Sequence, residues 1–252
     1  MDLPDAIERI RPAVIQLQVG DDQGNHVPIG TGFLVGRDGL AITARHVADS
    51  AESIVSDNAG ARLLAALATP NIDEPIHMRA NFEVVPCEVV ERDDRHDLAL
   101  VRLQTNPFAT GRPSGMSRSP DGGFAINALY GEAELSQRQP RDGDGIAVSG
   151  YPLTNAVLIT TTGVVASAWS TDREEAWTPA DSYVADVAVN PGNSGGPVFF
   201  AADGAVIGVC VAFQIAAARP EDPFFYNSGL TTVVPVKYVV DLIGRYDARG
   251  RG

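Results

Sequence analysis

Short runs of apolar and β-branched residues, each stopped by Gly, Pro, Asn or Asp, recur along almost the whole chain. In the first half they are PAVIQLQVG (12–20), GTGFLVG (30–36), LAITA (40–44), EVVPCEVVER (83–92) and LALVRL (98–103). In the second they are GIAVSGYP (145–152), AVLITTTGVVAS (156–167), SYVADVAV (182–189), PVFF (197–200) and AVIGVCVAF (205–213). No helical pattern of about 10–15 residues separates them, as a parallel sheet would require. The pattern therefore specifies an all-β chain built as antiparallel barrels or sandwiches. Helical signals are confined to the ends. Residues 2–10 fit a short helix, and VPVKYVVDLIGRY (234–246) carries apolar residues at helical spacing after Pro235, as a docked C-terminal helix would.

A chain of 252 residues holds one large or two small domains. Between 104 and 144 the runs give way to Gly, Pro, Ser and charge, so the connection between two domains is expected there. The expected division is 1–110, a connection over 111–144, and 145–252. A second irregular insert, WSTDREEAWTPADS, covers 169–182; its Trp169 and Trp177 either line a substrate cleft or fill the loop's own small core.

A formal net charge of −13 excludes a nucleic-acid binder and an anionic membrane surface as partners, because both would repel the chain. No apolar stretch reaches the roughly 18 residues of a membrane span. The N-terminal MDLPDAIERIRPAVIQLQVG has no basic leader followed by an apolar run, so a cytoplasmic location is expected. Cys87 and Cys210 each lie inside an apolar run and read as buried free thiols rather than a bridge. Neither has the His or Cys neighbours of a metal site, so no metal and no cofactor is expected.

Three segments carry chemistry. In LAITARHVADS, His46 follows a β-run and precedes a Val-Ala turn, at the rim of a sheet. Taken alone, such a histidine is usually structural. In RHDLALVRL, Asp97 opens an apolar strand, where a carboxylate is expensive to bury unless a donor such as an imidazole N–H meets it. NPGNSGGPVF is more specific, since its serine stands between Gly-Asn and Gly-Gly-Pro just before a strand. Glycine at 192 lets successive amides turn to one side. The turn from Gly192 through Asn193 to Ser194 would line a pocket for a developing oxyanion, with the Gly192 and Ser194 amides as donors. Gly195 and Gly196 would leave room for substrate to approach the hydroxyl.

GTGFLV, TARHV, HDLALVRL and GNSGGPVF, in the order His, Asp, Ser, resemble the signature blocks of the chymotrypsin-fold serine proteases. The chain is most similar to the protease domain of the bacterial HtrA/DegP type, over roughly residues 6–243, although no PDZ domain is expected after the last helix. The resemblance implies two six-stranded antiparallel β-barrels with a short C-terminal helix, a protein or peptide substrate, and a triad of His46, Asp97 and Ser194. In zymogen-type members of this clan an aspartate precedes the serine. Asn193 stands there in this chain, which argues against activation through an ion pair with a newly cut N-terminus. The family's primary specificity position falls six residues before the serine, at Ala188, with Val211, Ala212, Phe213 and Gly229 as walls. An uncharged floor implies a small or medium apolar P1 residue; Asp186 nearby leaves a basic P1 as the alternative. A catalytically idle peptide-binding module and an esterase are the competing functions.

Of the remaining candidates, His96 should point away from His46, and His26 and His77 should lie in polar loops. Arg45 is either a surface residue or a substrate-side charge. Asp93 and Asp94 precede the apolar strand too far to replace Asp97.

Overall fold

The computed structural model describes residues 1–36, 38–70, 80–110, 115–118, 124–128, 130–169, 179, 181–217 and 225–250. His77 and Trp177 lie outside the described residues. The chain opens with helix α1 (Leu3–Ile10), whose N-terminus is capped by the Asp2 carboxylate accepting from Asp5 N at 3.0 Å. Strands β1 (Val14–Gly20), β2 (His26–Leu34) and β3 (Leu40–Ala44) follow, then helix α2 (Arg45–Asp57), β4 (Arg62–Pro70), β5 (Ala80–Asp93) and β6 (Leu98–Leu103). These strands close a barrel in the order β1-β2-β3-β6-β5-β4, every pair antiparallel.

A two-stranded hairpin, β7 (Gly115–Arg118) with β8 (Phe124–Ala128), stands in the segment expected to be irregular. Strands β9 (Gly145–Gly150), β10 (Ile159–Ser167), β11 (Tyr183–Asp186), β12 (Pro197–Phe200), β13 (Val206–Ala217) and β14 (Phe225–Pro235) close the second barrel in the order β10-β11-β14-β13-β12-β9. Helix α3 (Val236–Gly250) ends the described chain. The two six-stranded antiparallel barrels and the C-terminal helix are the chymotrypsin-like architecture that the run pattern and the signature blocks implied. No helix among the described residues is long and apolar enough to cross a membrane.

Strand β1 shows how the barrels meet. Ile15, Leu17 and Val19 fill the first barrel, yet Gln16 and Gln18 on the opposite face are also buried. Buried amides need partners. Gln16 Nε2 donates to Asn155 O of the second half at 3.0 Å, and Gln18 Nε2 donates to Gln16 Oε1 at 2.6 Å. The terminal helices cross over between the barrels. Arg9 of α1 donates to Asp203 O at 3.0 Å, in the turn between β12 and β13, and pairs with Glu134. Arg245 of α3 reaches back to Asp93 Oδ2 of the first barrel at 3.0 Å. Val239 and Leu242 form the buried stripe of α3.

Candidate active site

His46 stands in the first turn of α2, not before a short Val-Ala turn. The residue preceding that helix, Ala44, has no side chain with which to cap it. Asp97 supplies the cap from a distant loop: its carbonyl accepts from Arg45 N at 2.9 Å and its Oδ1 from His46 N at 3.0 Å. A carboxylate there satisfies free helix amides and faces the positive end of the helix dipole. The other oxygen, Oδ2, lies 2.7 Å from His46 Nδ1. A carboxylate only accepts, so the neutral imidazole carries its proton on Nδ1 and leaves Nε2 as an acceptor. To bond the backbone and the ring of one residue, Asp97 adopts φ +53°, a left-handed conformation that a non-glycine residue seldom holds without such compensation.

The neighbouring charges are paired. Arg45 bonds Asp49 at 2.6 Å, approaches Asp94 at 3.6 Å and lies 4.0 Å from Asp97 Oδ1. His96 is buried, stacked on Tyr238 of α3 with ring centroids 3.5 Å apart, and its Nδ1 lies 3.0 Å from Asp93 Oδ1. It therefore belongs to a separate cluster, as expected, although the two residues lie in a turn over 94–97 and not on a strand whose alternation would part them. Asp93, expected to be poorly held, is instead buried at the end of β5 between His96 and Arg245. Burial alone would raise its pKa, but hydrogen bonds from His96 and Arg245 outweigh that and hold it below the usual carboxylate value. His26 is exposed at the start of β2 rather than in a loop, and Trp169 is exposed.

Ser194 is half-buried in the segment 190–196, which forms neither helix nor strand. Its backbone groups can be followed one by one. The carbonyl of Pro191 accepts from Leu153 N at 2.7 Å, and that of Gly192 from Thr31 Oγ1 at 2.6 Å. Ser194 O accepts from Thr31 N at 3.0 Å. The amide of Asn193 donates to Asn190 O at 3.0 Å, that of Gly195 to Cys210 O at 2.7 Å, and that of Gly196 to Asn193 O at 2.8 Å. Among the described residues, the amides of Gly192 and Ser194 donate to no acceptor. Asn193 contributes no free amide. Its neutral side chain is buried and accepts from Asn190 N at 3.1 Å, bracing the turn.

Glycine is required at two points of this turn. Gly192 has φ +100°, and a Cβ there would collide with Tyr151 O. Gly195 has φ +85°, and a Cβ would overlap Thr31 O and Thr43 Oγ1 and lie 2.8 Å from Ala44 N. That second contact brings the residue after Ser194 against the residue two before His46. The serine turn thus packs against the end of β3, where the two barrels touch.

A family model for the trypsin-like peptidase domain matches residues 30–209. The chain belongs to that family. Among relatives, this trypsin-like chain is 28% identical over 257 residues to the putative protease Do-like 14 of Arabidopsis thaliana, covering 99% of this chain and 49% of the plant protein. It is 28% identical over 198 residues to a probable periplasmic serine endoprotease, DegP-like, of Marinomonas, covering 76% of this chain and 31% of that one. It is 30% identical over 230 residues to the mitochondrial serine protease HTRA2 of Bos taurus, covering 87% of this chain and 41% of that one. The chain spans about a third to a half of the length of these relatives.

The expected specificity residues of this trypsin-like domain lie around one backbone crossing. Val187 N donates to Gly229 O at 3.0 Å and Thr231 Oγ1 to Val187 O at 2.8 Å, tying the segment of Ala188 to β14. Phe213 of β13 pairs with Thr231, which brings the third wall alongside. Val211 is buried, Ala212, Phe213 and Gly229 are half-buried, and Ala188 is exposed. Asp186 is also exposed; its Oδ1 lies 3.9 Å from where a Cβ on Gly229 would stand. Both cysteines are buried free thiols, each pushed up to about 12 by burial, so neither is a nucleophile near neutral pH. No cluster of His, Cys, Asp and Glu among the described residues is arranged to hold a metal ion.

Thr31 is the site residue that the sequence reading missed. It stands within the block GTGFLV, but its partners Gly192 and Tyr151 come from the other barrel, so no local spacing marks it.

Proposed function

We propose that the protein is a serine endopeptidase in which Ser194 attacks the scissile carbonyl, His46 accepts its proton and Asp97 orients His46. The observation that carries this reading is the pair of free amides, Gly192 N and Ser194 N, in a turn whose other donors are committed. Two preorganised N–H groups beside a serine suit the oxyanion of a tetrahedral intermediate, at about 3–4 kcal/mol for each donor. A serine hydroxyl is a weak nucleophile unless a base takes its proton, and His46, with its Nδ1 proton held by Asp97, has Nε2 available for that task. The proton then passes from the imidazolium to the leaving amine, and water hydrolyses the acyl-enzyme. Asp97 stabilises the imidazolium without itself becoming protonated. None of these steps requires a cofactor.

The substrate is a protein or peptide with a small or medium apolar P1 residue, since Ala188, Val211, Ala212, Phe213 and Gly229 carry no charge. The carboxylate of Asp186 beside Gly229 supports the second reading, a basic P1. An activity-based fluorophosphonate should label the wild type and not Ser194→Ala; equal labelling of both, or of neither, would remove the endopeptidase reading. Digestion of a peptide library should show cleavage after Ala, Val or Leu. Dominant cleavage after Lys or Arg would instead assign the pocket to Asp186.

A further inference from the structure

We infer that Thr31 is a positioning residue for the proposed reaction: its hydroxyl, supplied by the first barrel, holds the Gly192 carbonyl in place and so fixes where the oxyanion donors point. This inference rests on the endopeptidase reading. Thr31 is fully buried in β2, and all its hydrogen-bonding groups are engaged around the serine turn. Its amide donates to Ser194 O at 3.0 Å and its carbonyl accepts from Thr43 Oγ1 at 2.7 Å. Its hydroxyl lies 3.0 Å from Tyr151 N and 2.6 Å from Gly192 O. An amide nitrogen can only donate and a carbonyl can only accept, so the single hydroxyl proton goes to Gly192.

That bond acts on a peptide whose glycine end carries no side chain to hold it. Gly192 lacks a Cβ and sits at φ +100°, where glycine has access to neighbouring backbone conformations. The Gly192–Asn193 peptide is oriented at one end by Thr31 Oγ1 and at the other by Asn193 N donating to Asn190 O. This peptide lies between the two that carry the free amides, Pro191–Gly192 and Asn193–Ser194, so losing the hydroxyl would leave Gly192 O without its partner and loosen the link that sets the two donors relative to each other. The damage would fall on the transition state, since the free amides meet full negative charge only there.

The test compares wild type, Thr31→Ser and Thr31→Val on one chromogenic peptide, with the fluorophosphonate labelling rate and a thermal melt for each. Valine keeps the β-branched shape and removes the hydroxyl, whereas serine keeps the hydroxyl. Thr31→Val should lower kcat about 10- to 100-fold, as misplacement of catalytic groups by about 1 Å does, and leave KM within about two-fold. Its affinity for a peptide aldehyde, which forms a tetrahedral adduct, should fall by the same factor as kcat/KM. Thr31→Ser should restore kcat to within about three-fold of wild type. If Thr31→Val does not fold, Thr31→Ala, which opens space for a water, is read in the same way. Folded Thr31→Val with wild-type kcat, a loss confined to KM, or a Thr31→Ser as slow as Thr31→Val would overturn the inference while leaving the endopeptidase reading intact. Wild type that is not labelled at Ser194 would overturn both.

Discussion

The two halves of the candidate site are held in different ways. His46 and Asp97 belong to one barrel: the histidine rests on the first turn of α2, and the aspartate on the tight turn that leads into β6. Ser194 lies in a stretch with no regular structure, and its carbonyl is bonded from the opposite barrel. The first half is rigid because one residue, Asp97, staples the start of a helix to the turn between two strands through its carbonyl and both carboxylate oxygens. The second is rigid because nearly every backbone group of a short turn has been given a partner, leaving unpaired the two amides assigned to the reaction. Regular structure places a side chain, while an irregular turn places backbone donors, and acyl transfer needs both.

Several substitutions would sharpen that contrast. Ser194→Ala should abolish turnover, by about 10⁶-fold in kcat, without lowering the melting temperature, because the hydroxyl takes no part in holding the turn. Asp97→Asn should cost about 10⁴-fold in kcat by presenting His46 with the wrong tautomer. It should also weaken the cap of α2 by about 1 kcal/mol, measurable by chemical denaturation. Gly195→Ala tests the other half: its Cβ would overlap the backbone of β2, so a loss of about 3 kcal/mol or more in unfolding free energy is expected, with activity lost in proportion.

Asp93→Asn probes the loop beside Asp97 and should have the smallest effect, about 1–3 kcal/mol at neutral pH. The sign of its pH dependence follows from the depressed carboxylate. The folded pKa lies below the unfolded value near 3.8, so the stabilisation is complete above that pH and fades as acid protonates the folded form. Wild type and Asp93→Asn should therefore converge in stability below about pH 4, and a constant gap down to pH 2 would show that the charge contributes nothing.

Much of the fold was legible in the sequence, and so were the glycines of the serine turn, for reasons the structure makes plain. The short β-runs are the barrel strands, and Gly192 and Gly195 are glycine because φ and close approach permit little else. Helix α2 was invisible. Its sequence, RHVADSAESIVSD, carries few apolar residues, and the residue before it is Ala44. The cap that starts it comes from Asp97, 51 residues later. Thr31 was hidden for the same reason, since Gly192 stands 161 residues away. Local patterns announce what local physics requires; partners brought together by closing two barrels leave no such trace. SYVADVAV read as a strand over 182–189, but ladder pairing stops at Asp186. Beyond it the chain turns toward Asn190, and the carbonyls of Val187 and Val189 are taken by side chains of Thr231 and Asn227.

The crossing of the terminal helices bears on how the molecule comes apart. Arg9 straps the start of the chain to the far barrel, and Arg245 and Tyr238 strap its last helix to the near one. Neither barrel can melt without releasing a strap that the other depends on. Heating should accordingly give one calorimetric peak rather than two, with calorimetric and van't Hoff enthalpies in agreement. A protease arriving from outside would meet no half-open form in which one barrel survives its partner.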